Sequence, residues 1–256
     1  MKSSVIFPVV IRSLLSRVGF GWTVRAIALI IFTTLALSNI LIRHRQSPGM
    51  QAGKHRALID QASLHDRPYL LFVAGCFAVF LGLYTPFFYI TSYSTSTGVM
   101  SNDLAFYVLA AMNLSSVFGR IIPSLFVQSV GPLNMISATT IVLGVAALCL
   151  LAVKTLVGVF VTSIVYGFFT GTFFALQPTV FVKLAADPRF IGTRFGMAFS
   201  VLSVALLLGS PIAGALQRAY GYDAGWIWAG VLVLAGAVII LSARIVCVGA
   251  SLRKVV

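Results

Sequence analysis

Asn113-Leu114-Ser115-Ser116-Val117-Phe118-Gly119-Arg120 is the stretch on which the reading of this chain turns. It lies in an apolar run from about Leu104 to Gln128, long enough to cross the roughly 30 Å hydrocarbon core of a bilayer as one helix. Arg120 is the only charged residue in that run. A guanidinium stays protonated wherever it sits, and hydrocarbon is a costly place to put it. By default an intramembrane arginine faces a protein interior or a water-filled cavity and marks a functional site. The plainer alternative is a side chain that snorkels to the headgroups or caps backbone carbonyls. On a helix, Asn113, Ser116 and Arg120 follow i, i+3, i+7 spacing and share one face. That face offers an amide, a hydroxyl and a fixed positive charge to an anionic ligand.

The rest of the composition agrees with a membrane setting. The chain of 256 residues is 59% hydrophobic and 9% charged, with a mean hydropathy of +1.03, whereas a soluble domain is about 25% charged. The expected class is an all-α polytopic membrane protein in the lipid bilayer. The net charge of +13 does not indicate nucleic acid, because the basic residues gather in short segments between apolar runs, as the positive-inside rule places them. The chain has no Glu, and its five acids, Asp60, Asp66, Asp103, Asp187 and Asp223, fall in or beside predicted loops. Cys76, Cys149 and Cys247 are scattered in apolar runs and read as small apolar fillers. His44, His55 and His65 lie in one polar segment without the spacing of a metal site. No His-Glu-x-x-His, Gly-x-Ser-x-Gly or phosphate-binding glycine loop occurs in the sequence. No enzyme activity, cofactor or metal is therefore expected.

Seven spans are expected, at about Gly21–Ile42, Pro68–Ser92, Leu104–Gln128, Pro132–Val153, Leu156–Leu184, Thr193–Gln217 and Ala224–Val246. Residues 1–18, interrupted by Pro8, Arg12 and Arg17, are too broken to span, and Ile11–Val18 suits the interface. The expected division is residues 1–42 as an interfacial segment plus one transmembrane helix and 43–67 as a flexible linker. A six-helix bundle over 68–246 and a tail over 247–256 complete it. Arg43, Arg45, Lys54, Arg56, Arg67, Lys183, Arg189, Arg194, Arg244, Arg253 and Lys254 fall on the linker's side, and only Lys154 and Arg218 on the other face of the spans after the linker. That asymmetry places the linker and the C-terminus in the cytoplasm.

Two spans carry a proline among aromatics, in Tyr84-Thr-Pro86-Phe-Phe-Tyr89 and Leu176-Gln-Pro178-Thr-Val-Phe181. Interrupted helices at matching places point to a transporter's binding site, although prolines are frequent in membrane helices in general. On this reading Tyr84, Phe88 and Tyr89, with Phe173, Phe174 and Gln177, line a path, each competing with a simple packing role. Gly167-xxx-Gly171, Gly192-xxx-Gly196 and Ala205-xxx-Gly209 are expected to let helix backbones approach closely.

Gly19-Phe-Gly-Trp-Thr-Val-Arg25, Arg67-Pro68-Tyr69, the Asn113–Arg120 stretch and Gly209-Ser-Pro-Ile-Ala-Gly214, in that order and spacing, resemble the fungal branch of the monocarboxylate-transporter family in the major facilitator superfamily. The similarity runs from about Phe7 to Arg244. It implies that the spans are the sixth to twelfth helices of a twelve-helix transporter, with residues 1–42 a remnant of the N-terminal bundle. The implied activity is secondary transport of a small monocarboxylate or related organic anion by alternating access, with plasma membrane the family expectation and an internal membrane the alternative. Arg120 would anchor the carboxylate, and Ser116 and Asn113 would be auxiliary donors. Proton-coupled members of the family carry an Asp one turn before this arginine. Here that position is Ser116, whose hydroxyl carries no proton at physiological pH, so a co-transported proton is left open. A transporter of this type places its substrate between two bundles, so a second chain supplying the missing bundle is a further implied partner. The alternative is a truncated membrane protein without transport activity of its own.

Overall fold

In the computed structural model, which describes residues 3–41, 59–185 and 187–248, every regular element among the described residues is an α-helix or a short 3-10 turn. Most of the expected linker, with His44 and His55, lies outside the described residues, as does the tail from 249 onward.

The chain divides into two units, residues 1–57 and 58–256. The first is helix α1, Ser3–Leu41, broken at Gly19, where φ is 75° and ψ is 170°. Glycine reaches that region without steric cost. The segment expected at the interface is helical from Ser3 up to a kink at Gly19. Gly19–Leu41 is the part long and apolar enough to span a membrane.

The second unit contains α2 (Arg67–Leu83), α3 (Thr85–Ser96), α4 (Asn102–Val130), α5 (Pro132–Cys149), α6 (Leu156–Leu184), α7 (Ile191–Tyr220) and α8 (Tyr222–Val248). The helices end where the sequence supplies breakers. Gly98, Gly131 and Gly221 have positive φ, and Pro132 opens α5, a position where its missing N–H costs nothing. With α2 and α3 counted together, six segments of this unit are long and apolar enough to span a membrane, and their bounds lie within a few residues of the expected ones.

Glycines set the helix pairing. A Cβ on Gly82 would lie 2.6 Å from the carbonyl oxygen of Ala229, which seats α2 on α8, and one on Gly209 would lie 2.4 Å from that of Leu81, which seats α7 on α2. The Gly167-xxx-Gly171 and Ala205-xxx-Gly209 motifs thus meet neighbouring helices. Gly192 and Gly196 do not: among the described residues nothing lies within 4 Å of either Cβ position, so the expected contact is corrected to that extent. The interior is filled by large side chains, among them Trp226, Tyr166, Phe72, Phe173 and Phe181. Leu125, Leu207, Val157 and Val238 stand on the outside, as suits helices solvated by lipid tails.

The two proline-centred sequences behave differently. Tyr84 separates α2 from α3, and Pro86 sits in the first turn of α3. By contrast, α6 runs helically through Pro178. Residues 59–66, expected in a flexible linker, fold as a 3-10 turn at Ser63–His65 leading into α2.

Candidate functional site

Arg120 is positioned by the closest helix pair in the bundle. Helices α4 and α6 run in the same direction, and Cβ atoms on Gly167, Gly171 and Gly119 would lie 2.2, 2.1 and 1.9 Å from the carbonyl oxygens of Met112, Ser116 and Phe168. No side chain fits between the two backbones there. Pro123 lies inside α4 and has no N–H to give to the carbonyl four residues earlier, that of Gly119. The neighbouring helix supplies the donor instead: the Thr172 hydroxyl donates to the Gly119 carbonyl at 2.8 Å, out of contact with solvent. The peptide that leads into Arg120 is therefore held from across the helix interface.

The Arg120 side chain is half-buried. Its Nε–H is fully buried and has no hydrogen-bond partner among the described residues. Its guanidinium carbon lies 5.9 Å from the centroid of the Phe174 ring, within the range of a cation–π contact. Phe174 in turn lies 6.1 Å from Tyr84 and 5.8 Å from Phe80. Tyr84 reaches Phe87 and Phe88, each at 6.1 Å between centroids. The break between α2 and α3 thus brings Tyr84 to the same ring that Arg120 covers.

Arg120, Phe174, Tyr84 and Phe88 therefore form one connected group. The other expected site residues are engaged elsewhere. The Asn113 amide donates to the Leu109 carbonyl at 2.9 Å, and the Ser116 hydroxyl to the Asn113 carbonyl at 2.7 Å. The Ser116 hydroxyl proton is thus spent on its own helix, with Ser116 pressed against Gly171, and one of the two Asn113 amide N–H groups is used the same way. The Tyr89 hydroxyl donates to the Ser210 carbonyl at 3.1 Å, which ties α3 to α7. Phe173 is wholly buried between Phe80 and Phe174, where it shapes the seat of Phe174 and presents no surface to a path. Gln177 is also buried, beside Cys76, and its Nε2 has no partner among the described residues.

A second charged centre was not singled out by sequence reasoning. Arg194, near the start of α7, is 5% exposed. Its Nε donates to Asp60 Oδ2 at 3.0 Å, and one terminal nitrogen donates to Asp66 Oδ2 at 2.9 Å and to the Leu184 carbonyl at 2.8 Å. Its guanidinium carbon lies 5.4 Å from the Tyr69 ring centroid, and the Tyr69 hydroxyl donates to the Arg194 carbonyl at 2.8 Å. The signal available in the sequence was two acids six positions apart at the end of a basic linker, with no indication of which arginine they meet.

No family model matches the chain. Among individual proteins, it is 35% identical over 244 residues to the MFS-type transporter dbaD of Emericella nidulans, covering 95% of this chain and 53% of that one. It is 36% identical over 218 residues to the aspyridones efflux protein apdF of the same fungus, covering 85% and 44%. With the agnestins efflux protein AgnL12 of Paecilomyces divaricatus it shares 37% identity over 242 residues, covering 94% and 54%. Among solved structures, a crystal structure of a mutant peptide transporter POT in complex with sulfate superposes with a TM-score of 0.60 at 16% identity, over 73% of this chain and 39% of that one. At that identity the likeness shows the fold alone. Over nearly its whole length the chain is a homologue of the fungal MFS-type transporters, and it spans about half the length of the curated relatives it matches.

Proposed function

We propose that this chain is part of a secondary transporter that moves a small organic anion, a monocarboxylate in the simplest case, by alternating access. The observation that carries the reading is the buried, unpartnered Nε–H of Arg120. An arginine held inside a bundle without a counter-charge favours an anionic ligand, and its planar fork matches a carboxylate through two parallel charge-assisted hydrogen bonds. Two relatives are named efflux proteins, which supports export as the direction. The basic linker side is then the cytoplasmic one, in the plasma membrane as the resemblance implies. Ser116 stands where coupled members carry an acid and donates to its own helix, so the proposed cycle has no proton carried at that position. Ser116 and Tyr89 donate to the ligand only in a state in which they release their present acceptors, whereas Asn113 keeps a second amide N–H for it.

The test is uptake of a radiolabelled organic acid into proteoliposomes containing the chain. Counterflow by the wild type, lost in Arg120→Ala and not restored in Arg120→Lys, is the expected result. Transport unaffected by either substitution contradicts the assignment of Arg120. The chain spans about half the length of its relatives, and a substrate held between two bundles needs both.

A further inference from the structure

The aromatic residues around Arg120 fall into two kinds. Phe80 and Phe173 are buried and fill the core. Phe174 and Tyr84 are half-buried, and Phe88 is exposed over more than half its surface. These three keep part of their surface open, and their rings form a chain from Arg120 through Phe174 and Tyr84 to Phe88. Packing alone does not call for this arrangement, since leucine would fill the same space on a lipid-solvated helix. The position of Tyr84 is also set by a break in the helix rather than by core packing, because it is the residue between α2 and α3.

We propose that the ligand of this site is a planar, ring-bearing organic anion. Its carboxylate engages Arg120, and the face of its ring lies against Phe174 and Tyr84. The inference rests on the reading of Arg120 as an anion anchor and adds the shape of what the anion is attached to. In an aryl carboxylate the charged group is coplanar with the ring. A fork on the guanidinium therefore carries the ring alongside the aromatic surfaces that flank it. Offset or edge contacts between aromatic rings add a favourable increment beyond the area they bury. An acid of the same size with a puckered saturated ring gains only the area.

The test titrates benzoate and cyclohexanecarboxylate into the full 256-residue chain in lipid nanodiscs, as wild type, Arg120→Gln, Phe174→Leu and Tyr84→Leu. Thermal unfolding is followed in parallel to confirm that each variant is folded. The wild type should bind benzoate roughly three- to tenfold more tightly than cyclohexanecarboxylate, from the increment expected of one or two aromatic contacts. Phe174→Leu should abolish that preference and leave the saturated acid unchanged. Tyr84→Leu, a second and independent variant, should reduce the preference in part. Arg120→Gln should weaken both acids. Equal affinity of the wild type for the two acids, with both still sensitive to Arg120→Gln, overturns the ring proposal and keeps the anion reading. Binding of neither acid, or binding indifferent to Arg120→Gln, removes the anion reading and this inference with it.

Discussion

Arg194 and Arg120 show two ways of keeping a guanidinium inside a helical bundle. Around Arg194 two carboxylates, a helix-end carbonyl and an aromatic face take up the charge. Removing one member of such a buried pair leaves an uncompensated charge and costs about 3 kcal/mol or more. Arg194→Gln should therefore lower the stability of the bundle by about that amount, read as a lower unfolding midpoint in detergent. An unchanged midpoint would show that the Asp60 and Asp66 contacts contribute little. Arg120 has the Phe174 ring but no carboxylate or carbonyl partner among the described residues, and its buried Nε has no hydrogen-bond acceptor there. Arg120→Gln is accordingly expected to leave the unfolding midpoint unchanged or slightly raised, the reverse of Arg194→Gln. The first arginine holds the fold together, and the second is kept at a cost to it.

At the level of the helix, the site depends on how closely α4 and α6 approach. Gly119→Ala or Gly171→Ala would drive a methyl group into the facing backbone, and overpacking of this kind costs about 1–3 kcal/mol. Gly196→Ala meets none of the described residues and should be neutral or slightly stabilising, since alanine is the better helix former by about 1 kcal/mol. Comparing the three unfolding midpoints checks the pairing, and equal effects at Gly171 and Gly196 would contradict it. Thr172→Val tests the hydroxyl that satisfies the carbonyl freed by Pro123. Loss of that buried bond should cost about 1–3 kcal/mol and should weaken the proposed anion binding at Arg120 as well. A purely structural role at this position would lower stability and leave affinity untouched. These contacts explain why motif reading was only partly successful. Gly167-xxx-Gly171 and Gly192-xxx-Gly196 share a pattern, and only the packing shows which one faces a neighbour. Likewise Pro86 and Pro178 share an aromatic setting, yet only the first coincides with a helix break.

Across the whole molecule, the spans were legible because apolar runs and the breakers between them are local features. Their bounds in the sequence and in the structure differ by a few residues. Arg120 was legible for the same reason, as a lone charge in an apolar run. The Arg194 centre was not, because its partners lie 134 and 128 positions away in the chain and resemble ordinary loop charges until the helices are packed. The aromatic chain from Phe174 to Phe88 was legible as a set of residues and not as a surface, since sequence does not separate Phe173, which is buried, from Phe174, which is not. The least enclosed helices of the second unit are α4 and α7, and α4 carries Arg120. The proposed recognition depends on one guanidinium, that of Arg120, whose buried Nε has no hydrogen-bond partner among the described residues. Isothermal titration of benzoate into the chain in nanodiscs, wild type against Arg120→Gln, addresses this most directly. A loss of roughly ten- to hundredfold in affinity, the worth of a charge-assisted pair, at an unfolding midpoint no lower than the wild type's is the expected result. Equal affinities in the two proteins would contradict it.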